Sequence, residues 1–235
     1  MRFGFFIKTF AHPGPLFSLE GDFAMKKNVT RSVKEALKVL SQGNARFLNR
    51  LGAANDKGCD VSEANPLKLV SGDQTPFCAI LSCSDSRVPP ELIFDQGIGD
   101  LFVIRTAGNY ASPSALASIE YAVMKLKTPL IIVLGHSGCG AVQATLDREL
   151  TGLELPTESL NALACALAPS VREAIKNNQA EVKKADLVND AARRHVQRTI
   201  HNLLESPALQ EAHTKNEAGI TGAFYNLHTG EVEFS

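Results

Sequence analysis

The sequence predicts an α/β fold: a central, mostly parallel β-sheet flanked by helices, with an N-terminal helical arm ahead of it and an antiparallel terminal strand behind. Three observations lead there. Residues 77–82, 101–106 and 130–134 are short, nearly continuous apolar runs, the pattern of strands buried on both faces. Helical patterns alternate with them, so successive strands require crossover connections and lie parallel. A chain of 235 residues buries an ample core for one such domain and is short for two.

The helical arm starts where Ser32-Val33-Lys34-Glu35 takes the form of a capping box, and Val33, Leu37, Leu40, Phe47 and Leu48 then share one helical face up to about Arg50. That apolar face suits either the core of its own subunit or a second copy. Residues 52–74, with Gly, Asn, Asp and Pro throughout, read as a connecting loop. Strands over 77–82 and 101–106 follow, then a helix over 114–127 and a strand over 130–134. Two long helices, 160–177 and 185–204, lead to a strand pair over 220–227 and 231–234, with His228-Thr229-Gly230 as its turn. The sequence contains no internal repeat and no low-complexity segment.

Residues 1–24 read as an extension to a single domain over 25–235. The start, Met1-Arg2-Phe3-Gly4-Phe5-Phe6-Ile7-Lys8, mimics a signal peptide, but Lys8 and His12 cut its apolar stretch short, so the expectation is a non-secretory tail, with Met25 as an internal alternative start. A net charge of -1, scattered along the chain, gives no electrostatic reason to bind nucleic acid or an anionic membrane. No apolar run approaches the ~20 residues that span a bilayer. Five cysteines do not make a disulfide framework and suit a reducing, cytoplasmic setting, with Cys59, Cys78 and Cys165 as free thiols.

Two cysteine-bearing segments carry the chemistry. Cys83-Ser84-Asp85-Ser86-Arg87 and Gly135-His136-Ser137-Gly138-Cys139-Gly140 each follow an apolar run directly. Together they hold two thiols, an imidazole and a carboxylate. Zn²⁺ takes sulfur and nitrogen donors in a tetrahedron, so Cys83, His136 and Cys139 would leave a fourth place for water, substrate or Asp85. His136 and Cys139 form an H-x-x-C pair that one turn can present, while Cys83 arrives from a strand 53 residues earlier. A structural finger would show two short-range pairs instead, and Cys59 and Cys78 are not spaced as a second knuckle. Arg87, two positions from Asp85, can form a bidentate pair and hold that carboxylate off the metal.

Other readings of the same residues fail on spacing. A phosphatase loop needs a longer gap between cysteine and arginine than the three residues separating Cys83 from Arg87. The glycines around His136 are in the wrong order for a dinucleotide loop, and no acidic residue ends a second strand at the required distance. Gly138 and Gly140 instead let the backbone turn tightly around the ligands. A helix opening at Cys139 would aim free N–H groups, at Gly140 and beyond, toward a bound anion such as bicarbonate. His12, His195, His201, His213 and His228 lie outside both segments and read as surface or packing histidines.

The block C-S-D-S-R, followed by R-T-A-G-N at Arg105 to Asn109 and then G-H-S-G-C-G, resembles a beta-class carbonic anhydrase, and the resemblance runs over most of the chain. It implies zinc held by Cys83, His136 and Cys139, with Asp85 either on the metal or paired with Arg87. It implies reversible hydration of CO₂ to bicarbonate and a proton by attack of zinc-bound hydroxide. Three-histidine carbonic anhydrases lower the pKa of that water to about 7, and two thiolates in place of imidazoles should weaken the effect. By the same resemblance Gln74, nine residues before Cys83, would hydrogen-bond substrate, while Phe102 and Tyr121 would line the cleft. A homodimer is implied, or a tetramer or larger assembly, with the first helix and the sheet edge packing across it. Family members with an inhibitory bicarbonate pocket carry a tryptophan where this chain has Ile80, and only Arg105 and Tyr121 could match that pocket's arginine and tyrosine, so an intact pocket of that kind is not expected. Hydrolysis of carbonyl sulfide or carbon disulfide stays open from the sequence, as does a structural site permanently capped by Asp85, although the competing Arg87 argues against the latter.

Overall fold

A computed structural model describes residues 31–52, 73–178 and 182–235. The expected extension over 1–24, Cys59 and most of the expected loop over 52–74 lie outside the described residues. Five strands form one sheet in the order β2-β1-β3-β4-β5. They are β1 (Cys78–Cys83), β2 (Leu101–Thr106), β3 (Leu130–His136), β4 (Gly219–Tyr225) and β5 (Val232–Phe234). Every neighbouring pair is parallel except β4 with β5. The helices are α1 (Val33–Gly52), α2 (Pro90–Ile93), α3 (Pro113–Met124), α4 (Gly140–Thr151), α5 (Glu158–Asn177), α6 (Lys184–Leu204) and α7 (Pro207–Thr214), with a 3₁₀ turn at Ala107–Asn109. The predicted α/β class, with a mostly parallel sheet covered by helices, is the fold observed.

The apolar runs become central strands because both sheet faces are covered. On β1 and β3, Ile80, Leu130, Ile132 and Leu134 point into a core closed by α1 and α2. Their neighbours Ala79, Leu81, Ile131 and Val133 point the other way, into a core closed by α3, α6 and α7. This period-2 division leaves β1 and β3 buried along their whole length, and their carboxyl ends finish side by side.

The first helix departs from the expectation of packing across a dimer. Its capping box forms, with Ser32 N–H donating to Glu35 Oε2 at 2.8 Å and Glu35 N–H donating to Ser32 Oγ at 3.3 Å. Its apolar face, however, covers its own subunit: Ala36 and Leu40 are fully buried, and Val33, Leu37 and Phe47 pack on the same cluster. The physical reason is a close approach at Gly43, where a Cβ would meet the Phe94 carbonyl oxygen at 1.7 Å. At the next residue, the buried Asn44 Nδ2 donates to the carbonyls of Ile93 and Gly230, and its Oδ1 accepts from Val232 N–H. Side-chain hydrogen bonding therefore locks α1 to α2 and to the terminal strand pair.

Two smaller corrections concern the C-terminal region. The turn between β4 and β5 begins at Asn226, earlier than His228, because Asn226 Oδ1 accepts from His228 N–H at 2.9 Å and the Asn226 carbonyl accepts from Gly230 N–H at 2.8 Å. Helix α7 was not expected, although Ser206-Pro207 is a readable start signal: Ser206 Oγ accepts from Leu209 N–H, and proline occupies the first turn. Among the described residues no helix is long and apolar enough to cross a membrane.

Candidate metal centre

Parallel pairing of β1 with β3 brings Cys83, the last residue of β1, beside His136, the last of β3. Cys139 follows after a turn through Gly138, whose φ of 62° is a left-handed conformation that glycine adopts without strain. The ligand-type atoms of Cys83, His136 and Cys139 all lie within 4.8 Å of one another, and all three residues are buried. Their two Sγ atoms are 4.0 Å apart, far beyond a disulfide. Two sulfurs each about 2.3 Å from a tetrahedral zinc would be about 3.8 Å apart, so the spacing fits that metal.

The imidazole is set up as a ligand. His136 Nδ1 lies 2.9 Å from the Ser137 carbonyl, which can only accept, so Nδ1 carries the proton. Nε2 is then a bare lone pair, and it is buried with no hydrogen-bond partner. A buried acceptor without a partner is costly, and a metal bound at Nε2 would remove that cost. The donor set and this orphaned atom both fit zinc.

Backbone amides surround the thiols. Gly108 N–H donates to Cys83 Sγ at 3.4 Å. Cys139 is the N-cap of α4 and has no capping side-chain bond, and the N–H groups of Val142 and Ala141 face its sulfur. The neighbouring Cys139 thiol, then the His136 imidazole and the backbone amides, pull the Cys83 pKa down against the effect of burial. The resulting thiolate, along with burial, pushes Cys139 up. A divalent cation between them would favour both thiolates.

Asp85 stands apart from the trio. Arg87 grips it in a fork, Nε donating to Oδ1 at 2.9 Å and Nη2 to Oδ2 at 2.7 Å, and Arg87 N–H adds a third bond to Oδ1 at 3.0 Å. The guanidinium holds the Asp85 carboxyl well below the usual carboxylate range. Arg105 secures the same loop from beneath, donating to the carbonyls of Cys83 at 3.1 Å and Asp85 at 2.5 Å. Ile80, on β1, is fully buried.

A cleft of about 650 Å³ opens beside the trio, lined in part by Arg87, Ser137, Gly138, Tyr225 and His228. Gly140, at the start of α4, is exposed. Gln74 is exposed, and Phe102 on β2 packs against Tyr121 on α3 with ring centroids 6.3 Å apart. None of Gln74, Phe102 or Tyr121 borders the cleft in this one chain. Sequence reasoning missed the roles of Gly108 and Asn189: Asn189 Oδ1 accepts from Gly138 N–H at 2.9 Å and steadies the ligand turn. Gly108 was readable as part of the R-T-A-G-N block, but Asn189, in the middle of a helix, carried no signal. Cys78 and Cys165 are free thiols, Cys78 buried in β1.

Comparison with known proteins agrees with this geometry. The family model for carbonic anhydrase matches residues 78–232. The chain is 36% identical over 199 residues to a carbonic anhydrase of Mycolicibacterium smegmatis, covering 84% of this chain and 91% of that protein. It is 38% identical over 198 residues to carbonic anhydrase 2 of Mycobacterium tuberculosis, covering 84% and 90%. Among solved structures, one of the tetrameric beta-carbonic anhydrases of Sordaria macrospora superposes with a TM-score of 0.66 at 26% identity, covering 84% of this chain and 95% of that one. A parallel sheet that sets two cysteines and a histidine around one point, together with these relatives, places the chain in the beta-class carbonic anhydrase family.

Proposed function

We propose that the enzyme hydrates CO₂ reversibly to bicarbonate and a proton, using one Zn²⁺ held by Cys83 Sγ, Cys139 Sγ and His136 Nε2. The observation that carries this reading is the paired state of the trio and its neighbour: Nε2 is left without a partner while Arg87 turns Asp85 aside. When bound, the metal supplies a hydroxide nucleophile near neutral pH by lowering the pKa of a water in its open position.

The protein's own residues do the rest. Arg87 keeps Asp85 ionised and oriented, so the carboxylate is a hydrogen-bond acceptor of low basicity that orients the nucleophile instead of carrying the proton away. The uncapped N-terminus of α4, at Gly140, offers backbone N–H groups to bicarbonate. Gln74, Phe102 and Tyr121 act on substrate across a subunit boundary, because they are exposed or lie at the edge strand and do not reach the cleft of their own chain. Tyr121 and Met124, 48% and 54% exposed on α3, give that boundary an apolar surface. A homodimer or a larger assembly follows, in line with the tetrameric description of the Sordaria proteins. Free thiols in the site suit a cytoplasmic enzyme.

Stopped-flow CO₂ hydration on protein of measured zinc content tests the proposal. Turnover that scales with zinc up to one ion per chain supports it. Fully zinc-loaded protein with no turnover above background would contradict it.

A further inference from the structure

The turn from His136 to Cys139 is pinned at both ends. Ser137 N–H donates to the Tyr225 carbonyl at 3.0 Å, Ser137 Oγ accepts from Leu227 N–H at 2.9 Å, and the Cys139 carbonyl accepts from Gln143 N–H at 2.9 Å. Gly138, between these anchors, is different. Its φ is 62°, and a Cβ placed on it would meet no atom within 4 Å. Glycine exchanges left-handed for right-handed conformations at little cost, so neither packing over this residue nor its own preference fixes its torsions. Those torsions nevertheless lie on the chain between the two ligands and decide where Cys139 Sγ stands relative to His136 Nε2.

Asn189, in the first turns of α6, supplies the missing hold. Among the described residues the single hydrogen bond of Gly138 runs from its N–H to Asn189 Oδ1, at 2.9 Å and 51 residues away in sequence. A backbone N–H can only donate, so the amide oxygen is the atom that faces it. The anchor is itself rigid, because Val188, Ala191 and Ala192 on α6 are buried in the same cluster as Cys83 and Cys139. Gly138 and Asn189 both line the cleft, where water can reach the bond. Loss of the Asn189 acceptor would therefore leave the turn folded, with water in its place, but no longer held to one set of torsions.

We propose that Asn189 is a positioning residue of the metal centre: its amide oxygen fixes the Gly138 torsions so that Cys139 Sγ and His136 Nε2 face one point before a metal arrives, and it slows the metal's release. The inference rests on the zinc reading above. A site set by folding gives up less chain freedom on binding, and partners behind the ligands are worth about 10–100-fold in metal affinity.

The test compares wild type, Asn189→Leu, which fills similar volume without an acceptor, and Asn189→Asp, which keeps one. Each is prepared with Co²⁺ and with Zn²⁺. In Asn189→Leu the cobalt d–d bands, which report ligand geometry, shift and weaken. Zinc affinity in chelator competition falls about tenfold, mainly through faster release. Asn189→Asp restores both the bands and the affinity. Asn189→Leu that folds with wild-type bands and wild-type affinity overturns the proposal. So does Asn189→Asp with the bands of Asn189→Leu, whatever its affinity, because a carboxylate's charge can hold a cation without positioning the turn. If Leu fails to fold, Asn189→Ala makes the same comparison against Asn189→Asp. Wild-type protein that takes up neither metal would instead overturn the zinc reading itself.

Discussion

The metal half and the substrate half of this site differ in how much of each a single chain supplies. Cys83, His136 and Cys139 are 5%, 0% and 1% exposed, and every element that positions them belongs to one subunit's core. Gln74 and Tyr121 are exposed, and Phe102 lies on the edge strand. The metal half is thus built by folding alone, since Cys83 and His136 end central strands that are covered on both faces and Cys139 follows at the N-cap of α4. On the reading proposed above, the substrate half is finished only when another copy arrives. Asp85 and Arg87 sit at the seam, on a loop anchored from below by Arg105 and open to the cleft above.

The largest effect should come from the buried half. Cys83→Ala, His136→Ala or Cys139→Ala each leaves two protein donors, and zinc content and CO₂ hydration should both fall to background, beyond the roughly 10–100-fold that changes to outer-shell partners cost. Metal analysis alongside stopped-flow reads this directly. Any one variant with full zinc and full turnover would remove that residue from the ligand set.

At the seam the two readouts should separate. Arg87→Ala removes the fork on Asp85, raises the Asp85 pKa toward its ordinary range and frees the carboxylate to compete for the fourth metal position. That variant should keep its zinc and lose hydration across neutral pH. Wild-type turnover in Arg87→Ala would show that the pair serves folding only.

The exposed half should respond through assembly. Tyr121→Glu puts a charge on the apolar surface of α3, which a monomer would tolerate because the side chain is half in solvent. If that surface is an interface, light scattering should show the mass halved and activity should drop with it, while zinc stays bound. A fully active monomer would break the contrast between the two halves.

The smallest effect concerns the core behind the metal. His195 has a folded-state pKa of about 4 against an ordinary 6.5, so it is neutral when folded and must protonate more readily when unfolded. Its contribution is fully present above pH 6.5 and is lost as pH falls through 4, amounting to about 3 kcal/mol over that window. Denaturation midpoints measured from pH 7 to pH 4 should fall less steeply in His195→Leu than in wild type.

The parts of this molecule legible in its sequence are those written locally. The strands were readable because apolar runs stand between helical patterns, and the convergence of Cys83 with His136 was readable because both end such runs. The capping box at Ser32 was readable for the same reason, four residues in a row. What escaped is set by distance. The packing of α1 on its own core depends on Gly43 meeting Phe94 and on Asn44 meeting the chain near Gly230 and Val232, contacts that no periodicity encodes. The approach of the Gly108 amide to Cys83 Sγ joins two segments 25 residues apart, and no local pattern states it. The proposed meeting of Phe102 and Tyr121 with another copy's cleft is likewise a property of assembly, beyond what one chain's pattern can state.

The central claim is that one chain's fold makes a three-ligand zinc centre with Asp85 held aside. A crystal structure of the zinc-loaded enzyme with anomalous data at the zinc edge tests it most directly. The account predicts one peak per chain within bonding distance of Cys83 Sγ, Cys139 Sγ and His136 Nε2, with the Asp85 carboxylate still on Arg87 and a fourth ligand that is not protein. A peak elsewhere, or Asp85 bonded to the metal in the active assembly at neutral pH, would contradict it.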